Sequence, residues 1–384
     1  MSSAQTLARI MPILADFGVT RLARHTGLDF LGIPVWCAFT PNARSIVVAQ
    51  GKGLSDDDAK VSAAMEALER AVASDPAVSP VKASARQLQD SGHTVDTLEV
   101  LIGLHKDDIE LDDELQWALA RDLLTGAETY VPFEATLLDR TRDTRFWMSS
   151  DGLASGNTLE EATFHGILER IERDAQVLWR IADESERYSR CVDPCAFGDP
   201  ALLDLIGRIE AAGLSLRLFD ITSDVTIPCF TAILGPCAVQ RDRHIRFVEV
   251  TGGSGAHPYS VRAAIRAITE AAQSRLTYIG GARDDISPNT FLMPLPEEIR
   301  RAFDAKPAAP ATGFSMEPKS LSEHLDNTLN ALRERQIGSV LVVPLSDPGL
   351  PFSVAKVFVP DLENPDGKRA RRYGARAISK ALGP

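Results

Sequence analysis

Three widely separated segments of this chain repeat one spacing of charged side chains. They are Ser62-x3-Glu66-x2-Glu69-Arg70, His165-x3-Glu169-x2-Glu172-Arg173 and Arg266-x3-Glu270-x2-Gln273. Each lies in a segment that reads as a long helix: about Asp56 to Ser74, Thr158 to Ala182 and Ser260 to Tyr278. Residues three and four apart share a helical face. The first helix therefore stacks Ser62, Glu66, Glu69 and Arg70 in a column. The second stacks Glu161, His165, Glu169 and Glu172, and the third Arg262, Arg266, Glu270 and Gln273. Val61, Met65, Leu68 and Val72 mark a buried face on the first helix, and the charged column borders it. A column bordering a buried face is placed as cleft residues would be.

Local signals place the helix ends. Ser55 reads as an N-cap, followed by three aspartates where the helix dipole favours them. Thr158-Leu159-Glu160-Glu161 matches a capping box. Strands are expected at 32–39 and 45–50, joined as a hairpin through Pro41-Asn42, and at 215–220, 229–234 and 245–250. Gly252-Gly253-Ser254-Gly255 reads as a flexible turn or a close-approach loop. The C-terminal part adds a helix and strands at 340–343 and 352–359. Six prolines between 282 and 320 suggest a mobile loop, above all over 306–318. Strand runs mixed with helices favour an α+β class with helices packed on sheets.

Composition narrows the function. The 384 residues carry 41 basic and 53 acidic side chains, a net charge of −12, which argues against gripping a nucleic-acid backbone. No apolar run approaches the roughly 20 residues of a membrane helix, and the first 19 residues do not read as a secretory signal. Cytoplasmic residence is the expectation. The cysteines are Cys37, Cys191, Cys195, Cys229 and Cys237. The last four could be drawn as a zinc set, but their spacing is wider than structural zinc sites use, and ordinary reduced thiols are expected.

Columns of carboxylates suit a hard divalent cation such as magnesium, which bridges a few carboxylates to substrate phosphates. Arg70, Arg173 and Arg266 would meet phosphate oxygens with fork geometry. The bland alternative is three solvated helix faces, where such pairs add a few tenths of a kcal/mol each. Gly51-Lys52-Gly53-Leu54-Ser55 lacks the full phosphate-loop pattern and reads equally as a strand-to-helix turn. No G-x-S-x-G or H-E-x-x-H occurs.

The segment Ser62-Ala63-Ala64-Met65-Glu66-Ala67-Leu68-Glu69-Arg70 resembles the first ATP motif of the YcaO proteins. Residues 152–162, continuing through His165 to Ala175, resemble the second, and Arg266 to Leu276 the third. The N-terminal stretch Gly27 to Trp36, with Pro41-Asn42-Ala43-Arg44, is similar to the subgroup that works with a TfuA partner. The resemblance spans Thr20 to about Leu362 and implies a YcaO-like fold, with mixed or antiparallel sheets and packed helices forming an ATP-binding cleft. It implies one domain over 1–384: an N-terminal helix and strands over 1–50, a motif core over 51–281, the loop over 282–320 and a C-terminal helix and strands over 321–384.

The resemblance also implies ATP- and magnesium-dependent activation of a peptide backbone amide. By motif position, Glu66, Glu169, Glu172 and Glu270 would be magnesium ligands. Lys52, Ser62, Glu69, Arg70, Asn157, Glu161, His165, Arg173, Arg266 and Gln273 would bind the nucleotide, and Glu66, Arg173 and Arg266 would act in catalysis. Azoline formers of this family often end in a P-x-P-x-P tail and depend on a leader-binding domain. This chain ends in a lone Pro384 and shows no room for such a domain before the first motif, which favours thioamide formation. The expected partners are a peptide or protein substrate, a TfuA-like protein and a sulfide donor, with a homodimer as the common oligomer. An azoline-forming cyclodehydratase and a nucleotide-binding accessory protein without chemistry of its own are the alternatives.

Overall fold

The computed structural model describes residues 1–308 and 320–383. The chain forms two compact units. One comprises Met1–Asn42, Ile46–Ala67 and Ala182–Glu317; the other comprises Ala43–Ser45, Leu68–Ile181 and Pro318–Pro384. The fold is mixed, with antiparallel pairing everywhere but one short strand pair, as the α+β expectation requires.

The first unit contains two sheets. Strands Arg21–Arg24, Val35–Phe39 and Val48–Lys52 form one in that order, with Val35 opposite Lys52 and Phe39 opposite Val48. The expected hairpin is therefore present. The other runs Thr251–Ala256, Cys229–Pro236, Leu214–Asp220 and Cys191–Val192. Its core packs Leu218, Phe230, Ala232 and Leu234 against Ala263, Ala267, Ile268 and Ala271 of the Ser260–Gly280 helix.

Alanine and glycine at this contact let helix and strand backbones nearly touch. A Cβ at Gly253 would fall on the backbone of Ala267 and Ala271, and one at Gly51 on the backbone of Ala59 and Ala63 in the Asp56–Ser74 helix. The 252–255 segment is thus part of a strand rather than a turn: its glycines serve close approach, not chain reversal. The strand expected at 245–250 is instead a 3-10 turn at Phe247–Glu249. There the Glu249 carboxylate accepts from the backbone and side chain of Arg246 and closes the chain locally. Local context outweighs β propensity at such a site.

The second unit holds a seven-stranded sheet. Its order is Thr94–Val95, Glu128–Pro132, Glu114–Asp122, Leu341–Pro344, Ser353–Phe358 and Leu153–Gly156, with Val81–Ser84 also paired to Glu114–Asp122. The Leu159–Ile181 helix packs on this sheet. Its Asp174 is fully buried and takes both arms of Arg376 at 2.8 Å, along with the Glu363 backbone N–H at 3.0 Å. The Glu363 carboxylate in turn accepts from Gly374 and Ala377 at the start of the Ala375–Leu382 helix. The segment read as a loop over 282–320 carries a 3-10 turn at Pro288–Leu292 and a helix at Glu297–Ala302; residues 309–319 of that reading lie outside the described residues.

Two stability outcomes follow from these contacts. Gly51→Ala forces a methyl group onto helix backbone that cannot yield, and should cost about 3 kcal/mol, read as a lowered unfolding temperature. Arg376→Ala leaves Asp174 buried without its partner and should cost about 3–5 kcal/mol by the same measurement. Replacing Arg376 and Asp174 together by apolar residues should recover most of that loss.

Candidate nucleotide and metal site

The helix starts fix where the charged columns begin. Ser55 caps the Asp56–Ser74 helix through the Asp58 N–H, while the Asp58 carboxylate returns to the Ser55 N–H and hydroxyl. At the Leu159–Ile181 helix, Thr158 accepts from the Glu161 N–H as a capping box requires. The Glu161 carboxylate then reaches one residue further back than expected, to the backbone and side-chain N–H groups of Asn157 at 2.9 and 3.0 Å.

One interaction recurs behind all three columns. Glu66 accepts from the Gln50 backbone N–H at 3.3 Å, Glu169 from Gly152 at 3.1 Å and Glu270 from Ser254 at 3.5 Å. Gln50 and Ser254 sit in strands at sheet edges, and Gly152 immediately precedes one. An edge strand exposes backbone donors that need partners. In each case the motif glutamate of the following helix supplies one, which fixes the direction of its carboxylate.

In the first unit, Lys52 and Glu270 form an ion pair at 2.5 Å with both side chains mostly shielded. Gln273 donates to the Gln50 carbonyl at 3.2 Å, so Gln50 ties Glu66 and Gln273 together through its backbone. The Gln50 side chain is itself held by Thr277 and by the Cys37 sulfur. Cys37 lies 3.2 Å from a ring nitrogen of His25, and burial pushes its thiol up to about 11, so it is a packed thiol rather than a nucleophile. Ser62 is half-buried and Arg266 is exposed.

In the second unit, Arg173 gathers three carboxylates: Asp151 at 3.0 Å, Glu169 at 3.1 Å and Glu172 at 3.4 Å. Burial raises the Glu169 carboxyl, with Arg173 opposing and Asp151 adding to the rise. Burial would raise Asp151 as well, but the charges of Arg173, Arg170 and Lys356 and the Ser149 hydroxyl outweigh it and hold Asp151 below the usual carboxylate range. Ser155 donates to Glu69 at 3.2 Å, and its carbonyl lies 3.2 Å from a ring nitrogen of His165. Arg70 is half-buried.

Asp151, Ser155 and Lys356 were absent from the sequence reading. Lys356 carried a visible signal: it is the one charge inside the apolar run Val354-Ala355-Lys356-Val357-Phe358. Asp151 sits one residue before the second motif and carried none. The zinc set does not form. All five cysteines are free, with Cys191 and Cys229 buried and Cys195 and Cys237 exposed. Among the described residues, no three His, Cys, Asp or Glu side chains gather into a ready-made metal cage. No helix among them is long and apolar enough to cross a membrane.

A protein of Rhizobium leguminosarum bv. trifolii, named for its place in the tfuA 3′ region, is 36% identical over 393 residues, which cover 100% of this chain and 93% of that protein. The structure of YcaO from Methanopyrus kandleri bound with AMPPCP and Mg2+ superposes with a TM-score of 0.73 at 22% identity, covering 94% of this chain and 92% of that one. A heterocyclase in complex with substrate and cofactor gives a TM-score of 0.76 at 20% identity over 96% of this chain; the chain spans about half of that protein, 54% of its length. The family described as YcaO cyclodehydratase, ATP- and Mg2+-binding, matches residues 50–363, and the chain belongs to the YcaO family.

Proposed function

We propose that the chain uses ATP and magnesium to activate a peptide backbone amide, forming a thioamide together with a TfuA-like partner and a sulfide donor. The observation that carries this reading is the set of motif carboxylates held in fixed directions and balanced by the chain's own cations, Lys52 on Glu270 and Arg173 on Glu169 and Glu172. Magnesium suits such donors, since it takes one or two carboxylates plus phosphate oxygens rather than an all-protein cage. The residues present fit the group. Glu66 and Glu270 in the first unit and Glu169 and Glu172 in the second would supply oxygens for magnesium; Lys52, Arg173 and Arg266 would meet phosphate oxygens.

The need for phosphate follows from the substrate. An amide oxygen leaves poorly because resonance ties it to the carbonyl carbon. Sulfide adds to that carbon, the oxygen departs as phosphate, and a carbon–sulfur double bond remains once the proton is lost. ATP supplies the phosphoryl group and magnesium the charge that steadies it in transfer. The residues named above orient the phosphates and keep charge matched in a shielded setting, the main contribution a protein makes to such a step. The relative named for the tfuA 3′ region supports the choice of partner. The heterocyclase likeness favours azoline formation as the second reading.

Mass spectrometry separates the two readings. Incubation with ATP, magnesium, sulfide, the TfuA-like protein and a candidate peptide should exchange one oxygen for one sulfur; loss of one water instead supports an azoline. Glu66→Gln and Glu169→Gln should each lower kcat by about 100-fold or more. If both variants bind magnesium–ATP less well yet leave product formation untouched, the chain is an accessory protein. A carboxyl raised above the ordinary value of 4.5 protonates early as pH falls. Magnesium affinity should therefore weaken on acidification from neutrality, and Glu169→Gln should flatten that dependence, as titration calorimetry across pH would read.

A further inference from the structure

We infer that Lys356 is a positioning residue, whose ammonium group shapes the 149–152 loop so that Asp151 and the Gly152 N–H hold Arg173 and Glu169 in place. The inference rests on the reading of Glu169 and Arg173 as part of the magnesium–ATP site.

Lys356 occupies the middle of the Ser353–Phe358 strand, between apolar neighbours, and is only 4% exposed. A buried ammonium group costs free energy that an apolar side chain of similar size would not. Stability alone does not account for it. Its hydrogen bonds run to backbone rather than to carboxylates: Nζ donates to the Ser149 carbonyl at 2.7 Å and to the Asp151 carbonyl at 2.9 Å. Two carbonyls two residues apart are thereby turned toward one point, which bends the loop around the lysine.

The bend has consequences for each group beyond it. The Ser149 hydroxyl donates to the Asp151 carboxylate and accepts from the Asp151 N–H, which closes the loop on itself. The Asp151 carboxylate is then presented to Arg173 at 3.0 Å. Gly152 follows with φ +74°, a conformation that favours glycine. Its N–H meets Glu169 at 3.1 Å, while its carbonyl accepts from Val357, the neighbour of Lys356 on the strand. One strand therefore grips the loop through both a side chain and the backbone, and the loop sets the direction of two site residues that Lys356 itself does not bond.

Four variants of the full chain test this by magnesium–ATP calorimetry and thermal unfolding. Lys356→Met should fold with an unchanged or raised unfolding temperature and weaken magnesium–ATP affinity by about tenfold or more, the loss seen when outer supports of a metal site are removed. Lys356→Arg, which keeps a cationic N–H donor able to reach both carbonyls, should recover part of that affinity. A folded Lys356→Met with parental affinity overturns the inference. Should methionine prevent folding, Asp151→Asn decides: it must weaken affinity by a similar factor, and parental affinity there overturns the inference too. Glu169→Gln separates the two readings. If it leaves affinity unchanged, the site assignment fails; if it weakens binding while Lys356→Met does not, only the role of Lys356 falls.

Discussion

The hydrogen bond from an edge-strand N–H to a motif glutamate is the constraint on which the rest of this structure turns. A sheet edge leaves backbone donors without partners, and proteins cover, charge or pair such edges. Here each of three edges is answered by the helix that follows it, through Glu66, Glu169 or Glu270. The bond does two things at once. It satisfies a donor that would be costly to leave unpaired, and it fixes one oxygen of the carboxylate, while in Glu169 and Glu270 the other oxygen meets Arg173 and Lys52. The close approach of helix to strand is part of the same device. Glycine at 51 and 253 lets the backbones come near enough for a glutamate side chain to span the gap.

Charge is handled in two different ways within the second unit. Asp174 is buried completely and is answered in full by Arg376 and a backbone N–H, which makes it a structural joint. Asp151, Glu169 and Glu172 share a single guanidinium, with Lys356 behind them. Burial presses the Lys356 ammonium down to about 8, against the pull of Asp151 and Glu169. The contrast distinguishes a carboxylate answered in full by one arginine from three carboxylates that share one.

The helices, their caps and most strands were legible from local signals. Ser55 and the three aspartates after it marked one helix start, and Thr158 marked another. The glycines at 252–255 left a flexible turn and a close approach both open, because flexibility and steric permissiveness look alike in a sequence. Only the Ala263, Ala267 and Ala271 backbone on the facing helix shows that close packing is the reason for them. The 245–250 segment was misread because Arg246 and Glu249 close a local turn that outweighs a run of β-branched and aromatic residues.

By itself the sequence determined which side chains stand in line on each helix, because helical periodicity alone decides that. It also determined the family, through long motifs in a fixed order. What the tertiary structure decided was which backbone donors and counter-charges each glutamate meets: Gln50, Gly152 and Ser254 on one side, Lys52 and Arg173 on the other. It also placed Lys356 behind the 149–152 loop, some 200 residues away along the chain. Arg173 stands on the same helix as Glu169 and Glu172, but Lys52 meets Glu270 and Lys356 meets the 149–152 loop across more than half the chain, and no local periodicity reports on contacts of that kind.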